Sequence, residues 1–535
     1  MIRRLFSAES KSITGAAILL GATSLLSRLL GLWRDRLLAQ AFGAGDILDA
    51  YYTAFRIPDF VYNLLIVGAL SAGFIPLFTT LLQKNKPDAW KFVNNVINSI
   101  GIITVGLGLA VISLAPALIH RLAPGFSPNK LALAVTLTRM IIVSPIILGL
   151  SSVVTGVLQA KKNFLIYSLA PLFYNTGIIL GIIWGVPRFG PIGLGLGVIG
   201  GALLHLAIQL PSLWSYGWRY APILDWSITG LHRLPQLMSL RLFSMATNEI
   251  NFFVIIGLAS TLGSGSVAVF QFANNLQTLP IGIIGISFAV AAFPTLAQLA
   301  ARKETSAIAT HLNQTTQKIL FFTLPITILL LLLRAQVVRV TLGSGAFDWT
   351  ATIATANTLA FFSFSLFAQC LTPLLLRGFF ALQDTWTPCV IGIVTAGVNI
   401  IGSLWLRRRF GVSGLALAFS IASLIEFIWQ WLALRHRLGP GIHDGLLPTL
   451  YKLSAASLFM AVTVQLLKSP LAGLVDMDRF WGILTQGIIA GGAGLVVYVG
   501  VAFALRTEPL SEIADSAHKK WLHLRQTPNE IIKEV

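Results

Sequence analysis

From Ile13 to Ala504 the chain is a succession of apolar runs separated by short polar breaks. A helix rising about 1.5 Å per residue needs about 20 residues to cross a hydrocarbon core of about 30 Å, so each run predicts one crossing. About fourteen crossings are expected by this reading, which makes the fold class an all-α polytopic membrane protein. No soluble domain fits between them. Hydrophobic residues make up 55% of the chain and charged residues 11%, against about 25% charged in an ordinary soluble protein. The basic opening MIRRLFSAESK precedes a segment that carries Arg28 and lacks a small-residue cleavage site, so the first segment is expected to stay in the membrane.

The pattern repeats. Gly190-Pro-Ile-Gly-Leu-Gly-Leu-Gly opens one segment and Gly411-Val-Ser-Gly-Leu-Ala-Leu-Ala opens another 221 positions later, with Gln209 matching Gln430 and His205 falling opposite Glu426. Leu158-Gln159 with Asn175 matches Leu382-Gln383 with Asn399 at an offset of 224. Gly68 through Pro76 to Lys84 resembles Gly285 through Pro294 to Lys303. The offset covers about six crossings, an even number, so the two copies run the same way through the bilayer. The expected organisation is a six-helix bundle over 1–218, a second over 219–440, two additional crossings over 441–505 and a cytoplasmic tail over 506–535. Two parallel bundles leave a cleft that rocking exposes to either side, which is transporter architecture.

A formal charge of +18 raises the question of nucleic acid, but the basic residues are spread over many short loops with no compact stripe interleaved with aromatics. The positive-inside rule explains them better: Arg3, Arg4, Lys84, Lys86, Lys91, Lys161, Lys162, Arg302, Lys303, Arg435 and Arg437 fall on one side when the N-terminus is inside. Both termini are therefore expected in the cytoplasm. Arg121, Lys130, Arg188, Arg334, Arg339 and the run Arg407 to Arg409 form the minority on the other side. Cys370 and Cys389 lie in apolar segments without paired spacing and report nothing about redox compartment.

Ionisable side chains inside such segments are functional-site candidates. Arg28, Arg34, Asp35, Arg36, Asp49, Arg56 and Asp59 crowd into the first two. On a regular helix Arg28 and Asp35 share a face, and a bend at Gly31 would bring Arg28 and Arg34 to one cavity. Asp49, Arg56 and Asp59 have the spacing of an intrahelical charge ladder. The guanidinium fork suits phosphate oxygens, so the arginines point to an anionic, phosphate-bearing substrate. The structural alternative is that Arg36 snorkels to an interface, Asp35 neutralises Arg28, and Arg56 with Asp59 fastens two helices. Glu249, in Asn248-Glu249-Ile250-Asn251, and Glu426 are candidates for coupling to a proton or cation, with a hydrogen-bonded structural carboxylate as the alternative. His205 is expected to be a packed histidine. No HExxH, CxxC, Walker motif or nucleophile elbow occurs, so no enzyme and no cofactor is expected. A proton, a monovalent cation or the membrane potential is left as the energy source.

Ser27-Arg28-Leu-Leu-Gly-Leu-Trp-Arg34-Asp35, Phe42-Gly-Ala-Gly, Asp49-Ala-Tyr-Tyr, Gly68-Ala-Leu-Ser-Ala-Gly-Phe-Ile-Pro76, Ala123-Pro-Gly-Phe126, Gly345-Ala-Phe347 and Arg377-Gly-Phe-Phe-Ala-Leu-Gln-Asp384-Thr-Trp-Thr-Pro388 together resemble the lipid II flippases of the multidrug/oligosaccharidyl-lipid/polysaccharide exporter superfamily. The resemblance implies a flippase in the bacterial plasma membrane that moves undecaprenyl-pyrophosphate-linked peptidoglycan precursor to the outer leaflet, its headgroup in a cationic cavity. Membrane lipids and cell-wall synthesis proteins are the implied partners. Arg28, Arg34 and Asp49 match family positions important for activity. Two departures stand out: Tyr62 and Asn63 replace an Arg-Arg pair, and Phe272-Ala-Asn274-Asn275-Leu replaces Tyr-Ala-Asp-Arg-Leu. Arg28, Arg34, Asp49, Arg56, Tyr62, Asn274 and Asn275 are accordingly the expected substrate contacts. A family cation site is incomplete, with Ile255 in place of an acid and Asn399 retained. A different polyprenyl-linked glycan, or a non-transporting scaffold for cell-wall synthesis, are the alternatives.

Overall fold

The computed structural model describes residues 13–63, 68–225, 233–439 and 445–512. Every regular element among them is helical. The principal helices are α1 (Ile13–Phe42), α2 (Asp46–Val61), α3 (Gly68–Lys84), α4 (Lys86–Leu122), α5 (Pro128–Ile141), α6 (Val143–Ala160), α7 (Phe164–Leu180) and α8 (Ile192–Ala207), then α9 (Arg233–Ser260), α10 (Ser266–Pro280), α11 (Ile286–Ala301) and α12 (Thr305–Leu332). They continue as α13 (Trp349–Ser363), α14 (Leu366–Ala381), α15 (Trp386–Phe410), α16 (Val412–Leu438), α17 (Leu446–Leu474) and α18 (Phe480–Ala504). Among the described residues ten spans are long and apolar enough to cross a membrane, or eleven when α13 and α14, bent by 47°, count as one. The other three expected crossings, at α1, the α2–α3 pair and α9, run into residues whose side chains lie outside the description, so they are not part of this count.

Two compact units emerge. Unit 1 takes the described residues of Met1–Phe272 with Thr341–Thr355 and Ala396–Leu415; unit 2 takes Ala273–Val340, Ala356–Thr395 and the described residues of Ala416–Val535. These units cut across the expected boundary near 218, because α10, α13, α15 and α16 are each divided along their length. Most of the tail, from 513, lies outside the described residues.

In unit 1, Phe74 stacks on Phe78 and Phe92 at ring separations of 5.9 and 5.4 Å, closing α3 against α4. Val157, Leu158, Leu213 and Trp218 complete this core. The helix pair α7–α8 packs differently. A Cβ on Gly177 would lie 2.2 Å from Gly201 Cα, and one on Gly181 would lie 2.3 Å from Gly197 Cα. Only glycine lets two helix backbones come this close, as at small-residue helix crossings in membranes.

The internal repeat recurs in local geometry. Gly190 and Gly411 both adopt left-handed backbone, at φ of +59° and +57°, and so do Lys162 and Gln383, at +55° and +59°. That second match corrects the sequence register: Gln383 answers to Lys162, not to Gln159. Asn175 and Asn399 are three residues out of that register, about one helical turn, and each bonds across helices: Asn175 Nδ2 donates to Ser27 Oγ at 3.5 Å, and Asn399 Nδ2 to Asn251 Oδ1 at 3.1 Å. Both glutamines of the repeat are fully buried. Each reaches back four residues, Gln209 Nε2 to the His205 carbonyl and Gln430 Nε2 to Glu426 Oε1, both at 3.0 Å. Finally, Asn163 Nδ2 donates to Tyr216 Oη at 3.2 Å, where the second repeat has an ion pair of Asp384 with Arg437 at 2.7 Å. Each of these clasps ties the turn before one helix to the end of the next.

Candidate functional site

Most of the sequence-nominated residues lie in unit 1, where α1 and α2 position them. Helix α1 runs unbroken through Gly31. Arg34 Nε and Nη2 donate to Asp35 Oδ1 at 3.1 and 2.8 Å, and Nη1 donates to Asn175 Oδ1 at 3.2 Å. Asp35 therefore neutralises its neighbour Arg34 and not Arg28, which corrects the expectation from helical spacing. Arg28 is half-buried and makes no hydrogen bond or ion pair with the described residues. Tyr51 and Tyr52, both buried, stand within electrostatic reach of Arg34 and Asp35. Tyr52 Oη has no hydrogen-bond partner among the described residues.

Farther along α2, Arg56 Nη2 donates to Gln271 Oε1, and its guanidinium carbon lies 5.3 Å from the Phe252 ring centroid. Of the expected ladder of Asp49, Arg56 and Asp59, Arg56 and Asp59 stay within electrostatic reach without an ion pair, while Arg56 also turns to α10 and α9, and Asp49 to Lys130. Helical spacing permits such a ladder, but partners on neighbouring helices win. Past Val61 the backbone is π-helical at Tyr62 and Asn63. Tyr62 Oη and Ser152 Oγ are 3.3 Å apart, and Asn63 Nδ2 donates to Glu249 Oε1 at 2.8 Å. The two residues that replace the family arginines thus bond to uncharged and acidic partners on α6 and α9.

At the end of unit 1 where α1 turns into α2, the loops of the family motifs meet. Asp49 is fully buried. Lys130 Nζ donates to Asp49 Oδ2 at 2.5 Å and to Asp46 Oδ1 at 2.8 Å. The amides of Gly265 and Ala268 donate to Asp49 Oδ2 and Oδ1, both at 2.8 Å, so the carboxylate caps the first turn of α10. Asp49, expected among the substrate contacts, has both oxygens engaged within the protein. Beside it Gly125 N donates to Ser260 Oγ and Ala346 N to the Gln40 carbonyl. Gly43 has φ +61°, and a Cβ there would lie 2.5 Å from the Ala346 carbonyl oxygen, so this loop contact requires glycine.

Asn274, Asn275 and Glu426 fall in unit 2. Asn274 Oδ1 accepts from Gln277 Nε2 at 3.1 Å, and Glu426 accepts from Gln430. His205, in unit 1, sits 2.7 Å from Ser151 Oγ, in keeping with a packed histidine. Around Asn399 stand Asn251 and Ser403, while Ile255 is buried where the family has an acid. This donor set offers amide and hydroxyl oxygens without a carboxylate, a poor fit to a bound cation. Among the described residues no three His, Cys, Asp or Glu side chains cluster to hold a metal. Asn175, Gln271 and Lys130 are the partners that the sequence did not nominate as site residues, although the recurrence of Asn175 as Asn399 marked one of them.

A family model described as lipid II flippase MurJ matches residues 38–483. A probable lipid II flippase MurJ of Thermotoga maritima is 28% identical over 492 residues, covering 91% of this chain and 95% of its own length. The lipid II flippase MurJ of Burkholderia cenocepacia is 26% identical over 432 residues, covering 79% and 84%. Among solved structures, lipid II flippase MurJ in an inward closed conformation superposes with a TM-score of 0.76 at 25% identity, covering 91% of this chain and 99% of that one. An inward-facing multidrug-resistance MATE transporter of the MOP superfamily shares the fold, at a TM-score of 0.66 and 16% identity over 79% of this chain and 98% of that one. A multi-pass helical protein with charged first helices, matched by that family model over most of its length, this chain belongs to the lipid II flippase (MurJ) family.

Proposed function

We propose that the chain carries lipid II, an undecaprenyl-pyrophosphate-linked peptidoglycan precursor, from the cytoplasmic to the outer leaflet of a bacterial plasma membrane by alternating access. The observation that carries the reading is Arg34. Of its five N–H donors, three are held by Asp35 and Asn175, which fix the fork in place and leave two to meet a phosphate oxygen. Arg28, with no partner among the described residues, is the second cation for the pyrophosphate. Tyr62, Asn274 and Asn275 serve as neutral hydrogen-bonding contacts where relatives carry charge, and Arg56 braces α2 against α9 and α10. Asp49 holds the junction of α1 and α2 rather than the headgroup, since both of its oxygens are engaged by Lys130 and the start of α10. Glu249, bonded to Asn63, is the proposed coupling group for a proton or monovalent cation. Both termini lie in the cytoplasm.

A second reading, export of another polyprenyl-pyrophosphate glycan, draws support from the replacement of arginine by Tyr62 and Asn63, which weakens the electrostatic grip on this side of the site. A reconstituted leaflet-exposure assay with lipid II and with another undecaprenyl-pyrophosphate glycan separates the two. Faster exposure of lipid II supports the first reading, and indifference to both removes transport altogether. In a flippase-depleted cell Arg34→Ala is expected to abolish complementation at normal expression, whereas Arg36→Ala is not. Growth with the Arg34 variant would remove the anion-binding role.

A further inference from the structure

The outer face of α7 and α8 carries a groove of about 550 Å³ that the transport reading leaves unused. Its floor is bare backbone, at Gly181, Gly197 and Gly200, because the residues that let the two helices touch also leave no side chains to fill the crossing. Trp184, Phe189 and Leu203 form its rims and are 60%, 56% and 52% exposed. At one end stands Arg188. Its Nη1 donates to the Trp184 carbonyl at 3.0 Å, and no carboxylate pairs with it among the described residues.

We propose that this groove binds one acyl chain of a glycerophospholipid whose phosphate is held by Arg188. Depth supports the assignment. From Gly177 to Arg188 a helix rises about 16 Å, close to half of a hydrocarbon core of about 30 Å, so the groove is one leaflet deep. Charge supports it too, since an exposed, unneutralised guanidinium with four free N–H donors stands at the end where a headgroup lies. The depth also selects among lipids. An undecaprenyl tail is far longer than one leaflet, whereas the chain of a resident phospholipid ends where the groove ends. Binding at such a site comes from close contact with the glycine floor and from the charged headgroup, because lipid tails elsewhere are equally apolar.

Gly200 is the position at which to block it. A Cβ there meets nothing within 4 Å, so Gly200→Leu fills the groove without touching the contact between the helices. The full-length protein is reconstituted with phosphatidylglycerol and phosphatidylcholine, delipidated in detergent and weighed by native mass spectrometry, with a melting curve recorded for each variant. The wild type is expected to retain one phospholipid that Gly200→Leu and Arg188→Gln lose and Arg188→Lys keeps, all three melting like the wild type. Retention unchanged in Gly200→Leu overturns the groove. Retention unchanged in Arg188→Gln overturns the headgroup contact. A wild type that holds no lipid, or that holds a polyprenyl lipid instead, overturns the proposal.

Discussion

A carboxylate sealed from solvent survives only with donors on both oxygens, and Asp49 has Lys130 and two amides of the α10 start. Removing it leaves Lys130 with Asp46 alone, whose side chain is 57% exposed. Asp49→Ala should therefore destabilise the protein by about 3 to 5 kcal/mol, the usual cost of stranding one member of a buried ion pair. Lys130→Met in the same background should restore part of that loss; thermal unfolding of the single and double variants measures it. At this scale the sequence named the charges but not their partners. Seven-residue spacing told which side chains share a helix face, and it was silent about Asn175, Gln271 and Lys130, which arrive from other helices. Arg34 and Asp35 are adjacent in sequence, and that adjacency was outweighed by helical spacing in pairing Asp35 with Arg28. Tyr52, whose hydroxyl lacks a partner among the described residues, sat unremarked in the Asp49-Ala-Tyr-Tyr motif.

Among the helices, the α7–α8 pair separates two kinds of glycine. Gly181 faces the Gly197 backbone at a distance no Cβ tolerates, whereas Gly200 looks into open space. Gly181→Ala is expected to cost about 1 to 3 kcal/mol through overpacking. Gly200→Ala should stay within about 0.5 kcal/mol, as substitutions away from packed features do. Melting temperatures of the two variants in one detergent test the contrast; a Gly181→Ala variant that melts no lower than Gly200→Ala would mean that the backbone contact does not set the effect. Apolar run length read the helices well because bilayer thickness fixes it. Breaks were harder. The π-helical turns at Tyr62 and Asn63 and at Ile281–Gly285 follow Pro58 and Pro280, and the apolar pattern carried no signal for them.

Across the whole molecule the repeat was the most legible feature, since glycine turns and buried amides recur at a fixed offset, whereas the compact units were not legible because they depend on how long helices divide in one conformation. The repeat is not chemically even. Partial burial alone would raise the Asp384 carboxyl, but the hydroxyl and amide of Thr387, the Arg437 guanidinium and the Trp386 amide outweigh it and hold the group below the ordinary carboxylate range. A depressed native value contributes stability above the unfolded value of about 3.9 and loses it as pH falls through the native one. The second-repeat clasp should thus weaken on acidification below about pH 4, while Asn163 with Tyr216 does not titrate there. Limited proteolysis of the turn before α15 as pH is lowered should show it in the wild type, and Asp384→Asn should be equally open at every pH. The α7–α8 contact has a mechanical side as well. Two rods joined along their length bend far less than two that slide, so this pair acts as a strut, passing a displacement from end to end without repacking a rotamer. Opposite Gly193, Gly197 and Gly201 the second repeat carries Gly414, Ala418 and Ala422. There the close backbone approach survives at Gly414, where a Cβ would lie 2.4 Å from the Leu406 carbonyl oxygen, while methyls fill the other two positions.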